Sequence, residues 1–437
     1  MRDYLIFALI FASLPFIFKR PVYGAMMFAW ISLMNPNRLA YSAAYDFPFA
    51  AIVAIATLIS MLMSSEPKKL PITPLTVTLM LFMAWMTITC FSAVEPERAW
   101  TEWSRVSKTI FMVLISMTLL HTEKDTKLFV WVVGLSLAVF GIKGGIFTLM
   151  SGGNYMVIGP SDSYIADNNH LALALLTVVP LIWYLQTLAR NRWLRYGLIA
   201  TTALCIVSAA GSYSRGALIA GAAMLIFLWI KSANKLRTGL VLLLIIPVIL
   251  SVMPEQWFAR MDTINEYKSD SSAKGRINAW HFAFNLASDR PLGGGFTPFT
   301  TRMFQVYAPN PLDVHAPHSI YFQVLGEHGF FGLLLFLVFF WLAWRTGTRI
   351  LRFTRGKVEL QWANNLAAMC QVSLLGFAIG GSFLALAYYD LIYDIVTLLV
   401  ALERLLMSTA QTPAAALPLL HPVGNHLRMQ REGDHRH

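Results

Sequence analysis

Residues 195–235 read RYGLIATTALCIVSAAGSYSRGALIAGAAMLIFLWIKSANK: two apolar runs joined by a turn of about five residues that carries Arg215, and closed by a basic link. Neither run, 196–210 nor 216–230, holds a single charged residue. A stretch of that kind approaches the roughly 20 apolar residues that a membrane helix needs. Working outward, similar runs occur at 4–18, 22–34, 47–63, 75–94, 109–120, 128–150 and 170–188, then at 239–253, 330–344, 363–389 and 391–406. The first two are short for a bilayer about 30 Å thick, so about 12 transmembrane helices are expected. Composition agrees: 57% of the 437 residues are hydrophobic and 13% charged, about half the charge of a soluble domain. A cytosolic enzyme, a secreted domain and a disordered chain are excluded. No period of about 20–50 residues repeats, which argues against a solenoid. The fold class is all-α, a polytopic integral membrane helical bundle.

The net charge of +11 is not a nucleic-acid signal, because Lys and Arg collect in the cytoplasmic loops of such proteins. The links 189–195, 231–238 and 345–357 are basic and contain no acid, which predicts that they face the cytoplasm. Alternation then puts 151–169, 211–215 and 254–318 on the opposite side. The long stretch 254–318 balances six basic against six acidic residues, as an outer-facing loop should. The expected organisation is transmembrane helices with short loops over 1–253, a periplasmic loop over 254–318, C-terminal transmembrane helices over 319–408 and a disordered cytoplasmic tail over 409–437. Within the loop, GRINAWHFAFNLASD places Ile277, Trp280 and Phe284 at helical spacing. This predicts an amphipathic helix lying on the membrane plane. The first apolar stretch is followed by no small-residue cleavage site and reads as a retained helix. Cys90, Cys205 and Cys370 are far apart and apolar in setting, so neither a disulfide framework nor a zinc site is expected.

The candidate chemistry lies in the outer loops. Arg215 sits between Gly211 and Gly216, where backbone can approach a ligand closely, and a guanidinium fork matches phosphate oxygens. The bland alternative is an interfacial arginine snorkelling to lipid headgroups. Arg276 opens the amphipathic helix, whose N-terminus adds positive potential. His318 follows Pro317, a residue suited to a first helical turn, and the dipole there keeps the imidazole neutral and able to take a proton. His315 and His328 are second-tier. Lys143, in GIKGGIF, reads as a lone buried cation in search of an anion, and Asp390 and Asp394 could orient an arginine or a histidine. Four tail histidines (421, 426, 435, 437) read as solvated. No acid-rich metal site, Walker loop or dinucleotide fingerprint is present in the sequence, and GGG at 293–295 lacks the context for one. A neutral base with two guanidinium forks suggests a reaction on a lipid-linked phosphate.

Five short patterns appear in order over about 168–344: DNNHLAL from Asp167, SYSRGA around Arg215, GRINAW with Arg276 and Trp280, PLGGGF, and HSIYFQVLGEHGFFG from His318. On these residues the sequence resembles the O-antigen ligase and polymerase superfamily of bacterial inner-membrane glycosyltransferases. Asn usually follows the family histidine; here Ser319 does, which bears on any role of that amide and not on the ring. The resemblance implies a bundle of GT-C-like type with its active site facing the periplasm, and an undecaprenyl-pyrophosphate-linked glycan as donor. It further implies lipid A-core as acceptor, surrounding membrane lipids, and inverting transfer without metal, cofactor or nucleic acid. Carried over, Arg215, Arg276 and His318 are the catalytic residues. Lys143, Asn168, His170, Tyr213, Trp280, His315 and Asp390 are the substrate-binding candidates. The additional N-terminal spans resemble the ligase branch. A polymerase, a protein O-oligosaccharyltransferase and, in a different class, a flippase are the alternatives; the last usually shows two related halves, which are not seen.

Overall fold

The computed structural model describes residues 2–232, 234–251, 253–262 and 271–411, and contains no strand among them. The N-terminal helices are α1 (Arg2–Lys19), α2 (Val22–Met34), α3 (Phe49–Met63), α4 (Pro74–Phe91), α5 (Pro96–Leu119) and α6 (Glu123–Met150). Then come α7 (Asn168–Leu188), α8 (Arg192–Ala210), α9 (Arg215–Lys231) and α10 (Lys235–Leu250), followed by three helices of the long loop, α11 (Glu255–Asp262), α12 (Ser271–Asp289) and α13 (Thr301–Tyr307). The chain closes with α14 (Ile320–Thr354), α15 (Gln361–Gly380) and α16 (Asp390–Gln411). Among the described residues six helices, including α4, α6, α7, α8 and α14, are long and apolar enough to cross a membrane; α2 and α3 are apolar but shorter. The molecule is an all-helical membrane protein.

Local chemistry sets the helix starts. Thr73 and Thr76 form a reciprocal capping box before Pro74, and the side chains of Thr122, Asp167, Asn191 and Ser214 each accept a backbone N–H of the first turn of their helix. Packing then depends on small residues. A Cβ at Gly141, Gly144 or Gly145 of α6 would fall 2.2–2.4 Å from Cys205, Ser208 or Leu204 of α8, so the two helices meet backbone to backbone. Because α6 presents that face to α8, Lys143 falls on an exposed face. The expectation of a buried cation is corrected here by helical period alone.

Two stretches of the long loop pack against α14. In α12 the buried face is Ala279, Phe282, Ala283 and Leu286, whereas Ile277 and Phe284 are exposed. The helix packs onto α14, Trp280 stacking on Phe322, while Ile277 and Phe284 face outward and Phe284 meets the edge of Phe330. The glycine run at 293–295 proves to be a backbone seam. Gly294 and Gly295 donate N–H groups to the carbonyls of Gly326 and Glu327 at 2.9 and 2.8 Å. Gly293 (φ 72°) faces Gly329 (φ 68°) so closely that a Cβ on either would strike the other's backbone or that of Pro291. Gly329 also interrupts α14. The seam ties the loop to that helix.

Connections at one end of the bundle interlock. Val157 donates to Gly211 O, Val94 to Gly294 O, and Arg302 to Val94 O, while Tyr45 bonds Asp162. This end carries the long loop and is called the site end below. At the other end lie the basic links, with Arg20 bridging Glu66 and Asp125. Residues 409–411, expected to be tail, still belong to α16; positions 412–437, with the four tail histidines, lie outside the described residues.

Candidate active site

The turn between α8 and α9 is the floor of the site. Tyr213 adopts a left-handed backbone (φ 59°) and anchors its hydroxyl on Gly153 O at 2.6 Å. Asn168 donates Nδ2 to Ser212 O at 2.6 Å, and Ser214 caps α9, whose first residue is Arg215. From above, α11 is pinned to the same turn by Trp257 Nε1 on Ala210 O (3.0 Å) and by Arg260 Nε on Tyr213 O (3.2 Å).

The opposite wall is built by α12 and the strap 310–318. Asn278 donates Nδ2 to the carbonyls of Asn310 and Asp313 and accepts the N–H of Asn310, all within 2.9 Å. Gly275 leaves room for the His315 ring, which a Cβ would meet at 2.3 Å. Trp280 stacks on Phe322 with ring centroids 4.9 Å apart and donates Nε1 to Pro317 O at 2.7 Å. One helix thus carries Arg276 and also grips the strap that ends in His318. His318 itself is left-handed (φ 41°), a conformation costing about 1–2 kcal/mol for a residue with a Cβ that these neighbours must over-determine.

These elements close on a pocket of about 210 Å³ lined by Asn169, Tyr213, Ser214, Arg215, Gly216, Arg260, Arg276, His318, Phe383 and Leu384. Arg215, Arg276 and His318 therefore meet in one pocket although Arg215 and His318 lie far apart in sequence. Among the described residues, none of those lining the pocket is a carboxylate. Burial first, then the Arg276 charge and His170, depress His318 from the ordinary histidine range to about 4. The ring is kept neutral by burial and neighbouring cationic charge, not by a helix dipole. Pro317 and His318 lie outside α14, which begins at Ile320 behind the N-cap Ser319, because the left-handed turn at His318 stops the helix there.

The remaining candidates divide. Tyr213 lines the pocket; Asn168 braces its floor; His170, in the first turn of α7, lies within electrostatic reach of His318. Trp280 and His315 hold the strap instead of lining the pocket, His315 pairing with Asp313 at 2.7 Å. Lys143 and Asp390 are not among the lining residues; Asp390 is buried at the head of α16 beside Thr109 and Arg105, with Asp394 one turn below. His328 is a core residue, its Nδ1 2.7 Å from Thr89 Oγ1 and its ring against Phe296. Reading the sequence missed Arg260, which the EQWFARMD helix signals by placing Trp257 and Arg260 one turn apart on one face.

At one end of the helical bundle three arginines thus share a pocket with a neutral imidazole. Residues 200–337, which hold Arg215, Arg260, Arg276 and His318, match the O-antigen ligase family. That match supports membership of the O-antigen ligase superfamily and suggests an enzyme of ligase or polymerase type. Residues 1–190 match a family of unknown function. A comparison with curated proteins finds no match.

Proposed function

We propose that the protein is an O-antigen ligase: it transfers a glycan from undecaprenyl pyrophosphate to a sugar hydroxyl of lipid A-core on the periplasmic side of the bacterial inner membrane. The observation that carries this reading is the convergence of Arg215, Arg276 and His318 on one pocket. The basic links gathered at the far end of the bundle support an outward-facing site.

In this mechanism Arg215 and Arg276 clamp the pyrophosphate of the donor. His318 takes the proton of the acceptor hydroxyl, the oxygen attacks the anomeric carbon from the face opposite the pyrophosphate, and the C–O bond to phosphate breaks with its electron pair on the leaving oxygen. Fixed guanidinium charge meets the charge that develops there, so the step needs no metal. Donor binding also neutralises part of the Arg276 field that depresses His318. The base consequently strengthens when the donor is seated, which moves its pKa toward the working pH. Phe383 and Leu384 on the pocket wall suit the start of the polyprenyl chain.

Purified protein in lipid nanodiscs, given an undecaprenyl-pyrophosphate-linked glycan and lipid A-core, should produce glycan on lipid A-core. A longer lipid-linked chain instead would make it a polymerase, glycan on a protein acceptor would make it a protein O-oligosaccharyltransferase, and movement of the donor across the bilayer without bond chemistry would make it a flippase.

A further inference from the structure

We propose that Gln323 and Glu327 are positioning residues for the donor lipid: they hold the connection between α15 and α16 as the wall on which the polyprenyl chain rests, and so govern donor affinity through the lipid instead of through the glycan or the phosphates. This rests on the reading of Phe383 and Leu384 as the start of the polyprenyl path.

The connection, residues 381–389, has no regular structure beyond the short turn of helix Gly381–Phe383, yet Leu384, Leu386, Ala387, Tyr388 and Tyr389 are all buried. Irregular backbone inside a membrane bundle persists where protein satisfies it or where it lines a cavity, and here both hold. The cavity is the pocket, to which Phe383 and Leu384 contribute. The partners come largely from α14. Ala387 donates its N–H to Gln323 Oε1 at 3.2 Å, and Tyr388 donates its hydroxyl to Glu327 Oε2 at 2.6 Å. Gln323 and Glu327 are four residues apart and therefore share one helix face. Tyr393 of α16 adds a hydroxyl bond to Ala387 O at 2.8 Å.

Glu327 also reaches the long loop. Its Oε1 accepts the N–H of Thr297, a residue in left-handed conformation (φ 57°), at 3.3 Å, and its backbone oxygen accepts Gly295 N–H in the glycine seam. One carboxylate, 4% exposed, thus joins loop, helix and connection. An apolar side chain of similar volume could match it for stability, but would not fix the place of an irregular chain as directional bonds to two separate elements do. On the far side of the wall the fit is close: a Cβ at Gly216, beside Arg215, would come within 3.2 Å of Phe383. A slack connection would consequently move Phe383 and Leu384 within the pocket while leaving Arg276 and His318 on their own elements.

The test compares two donors carrying the same glycan diphosphate, one esterified to the full polyprenol and one to methanol, with the protein in nanodiscs. Partition into the bilayer is common to all variants and cancels. Wild type should use the polyprenyl donor with the higher kcat/KM. Tyr388→Phe and Glu327→Met should each raise KM for the polyprenyl donor by about fivefold, the loss of a buried hydrogen bond, with kcat and all parameters for the methyl donor within about twofold. Glu327→Gln, which keeps an acceptor, should largely restore the polyprenyl KM. As a readout independent of turnover, a polyprenyl diphosphate with a photoreactive group in its first isoprene unit should label the peptide holding Phe383 and Leu384 in wild type, and less of it in Tyr388→Phe. Equal losses with both donors, or a lower thermal midpoint with donor discrimination intact, would make these bonds structural only and overturn the proposal. A wild type that is labelled elsewhere sinks the lipid path and this inference, leaving the ligase reading; a wild type that is labelled at Phe383 and Leu384 but transfers no glycan sinks the ligase reading and leaves the lipid wall standing.

Discussion

Arginine serves opposite purposes at the two ends of the bundle. At the end bearing the basic links, Arg20 donates to Glu66 at 2.8 Å and to both oxygens of Asp125 at 3.2 and 2.9 Å, and Arg349 pairs with Glu403. These guanidiniums have their counter-charges in the fold, and each acid is shielded from water by the pairing. At the site end, Arg215, Arg260 and Arg276 line one pocket beside a histidine held neutral by burial and by one of those same arginines. The sequences around them look alike, basic residues next to apolar runs. What separates the two ends among the described residues is the company their arginines keep: carboxylates of neighbouring elements at one, a pocket shared with a histidine at the other.

The comparison breaks most sharply at His318. His318→Ala should lower glycan transfer by about 10²–10⁴-fold, the usual contribution of a positioned base, with the purified protein still folded and inserted. Arg215→Lys should cost about 10–10³-fold, because an ammonium keeps the charge and loses the bidentate fork. Transfer rates in nanodiscs read both, and near-normal turnover in both variants would return the protein to a transporter.

Arg20 should behave in the reverse manner. Its side chain is 31% exposed while that of Asp125 is 2% exposed, so Arg20→Ala leaves a nearly buried carboxylate with Thr122 as its remaining partner. The expected loss is about 1–3 kcal/mol of stability, seen as a lower thermal midpoint in detergent, with unchanged turnover per folded molecule. A variant that unfolds no earlier but transfers slowly would show that the two ends are coupled and that the contrast between them is false.

Much of this was legible in the residues themselves. Uncharged runs bounded by basic links fix a membrane bundle, because backbone in lipid must satisfy itself within helices. Arg215, Arg276 and His318 were readable as candidates because each sets a costly or reactive side chain in an outer loop or turn, although the helix expected to open at Arg276 begins five residues earlier, at Ser271. Their convergence was not readable, since it depends on α12 gripping the strap 310–317 through Gly275, Asn278 and Trp280, contacts across more than thirty residues. Lys143 misled because periodicity does not say which face of α6 meets α8, and Trp280 misled because an aromatic beside a candidate arginine can brace the backbone as readily as it lines a pocket.

The pH profile sharpens the contrast within the site. A histidine depressed to about 4 stays neutral from neutral pH down to roughly one unit above that value, so it remains a competent base through the range where an ordinary histidine near 6.5 would charge. The acid limb of kcat/KM, which reports the free enzyme, should therefore lie near 4. The limb of kcat reports the complex and should lie higher, because the bound diphosphate offsets Arg276. Arg276→Gln should raise the kcat/KM limb toward the ordinary value by the part of the depression that Arg276 causes, leaving the larger part due to burial. Coincident limbs in wild type would mean that the diphosphate does not bind beside His318.

The smallest expected effect tests the strap. Trp280→Phe preserves the stack on Phe322 but removes the N–H that holds Pro317 O at 2.7 Å. One neutral hydrogen bond contributes about 1 kcal/mol, and its loss lets the left-handed backbone at His318 relax toward ordinary geometry. Since the donor is held by arginines that do not depend on this bond, the change should fall on kcat, by roughly fivefold, with KM for the donor unchanged and the acid limb of kcat/KM displaced upward as the ring gains exposure. Trp280→Ala removes the stack as well and should cost more in both kcat and stability. A KM effect in Trp280→Phe without a change in kcat would instead return the indole to direct contact with substrate, the role that its place beside Arg276 in the sequence suggests.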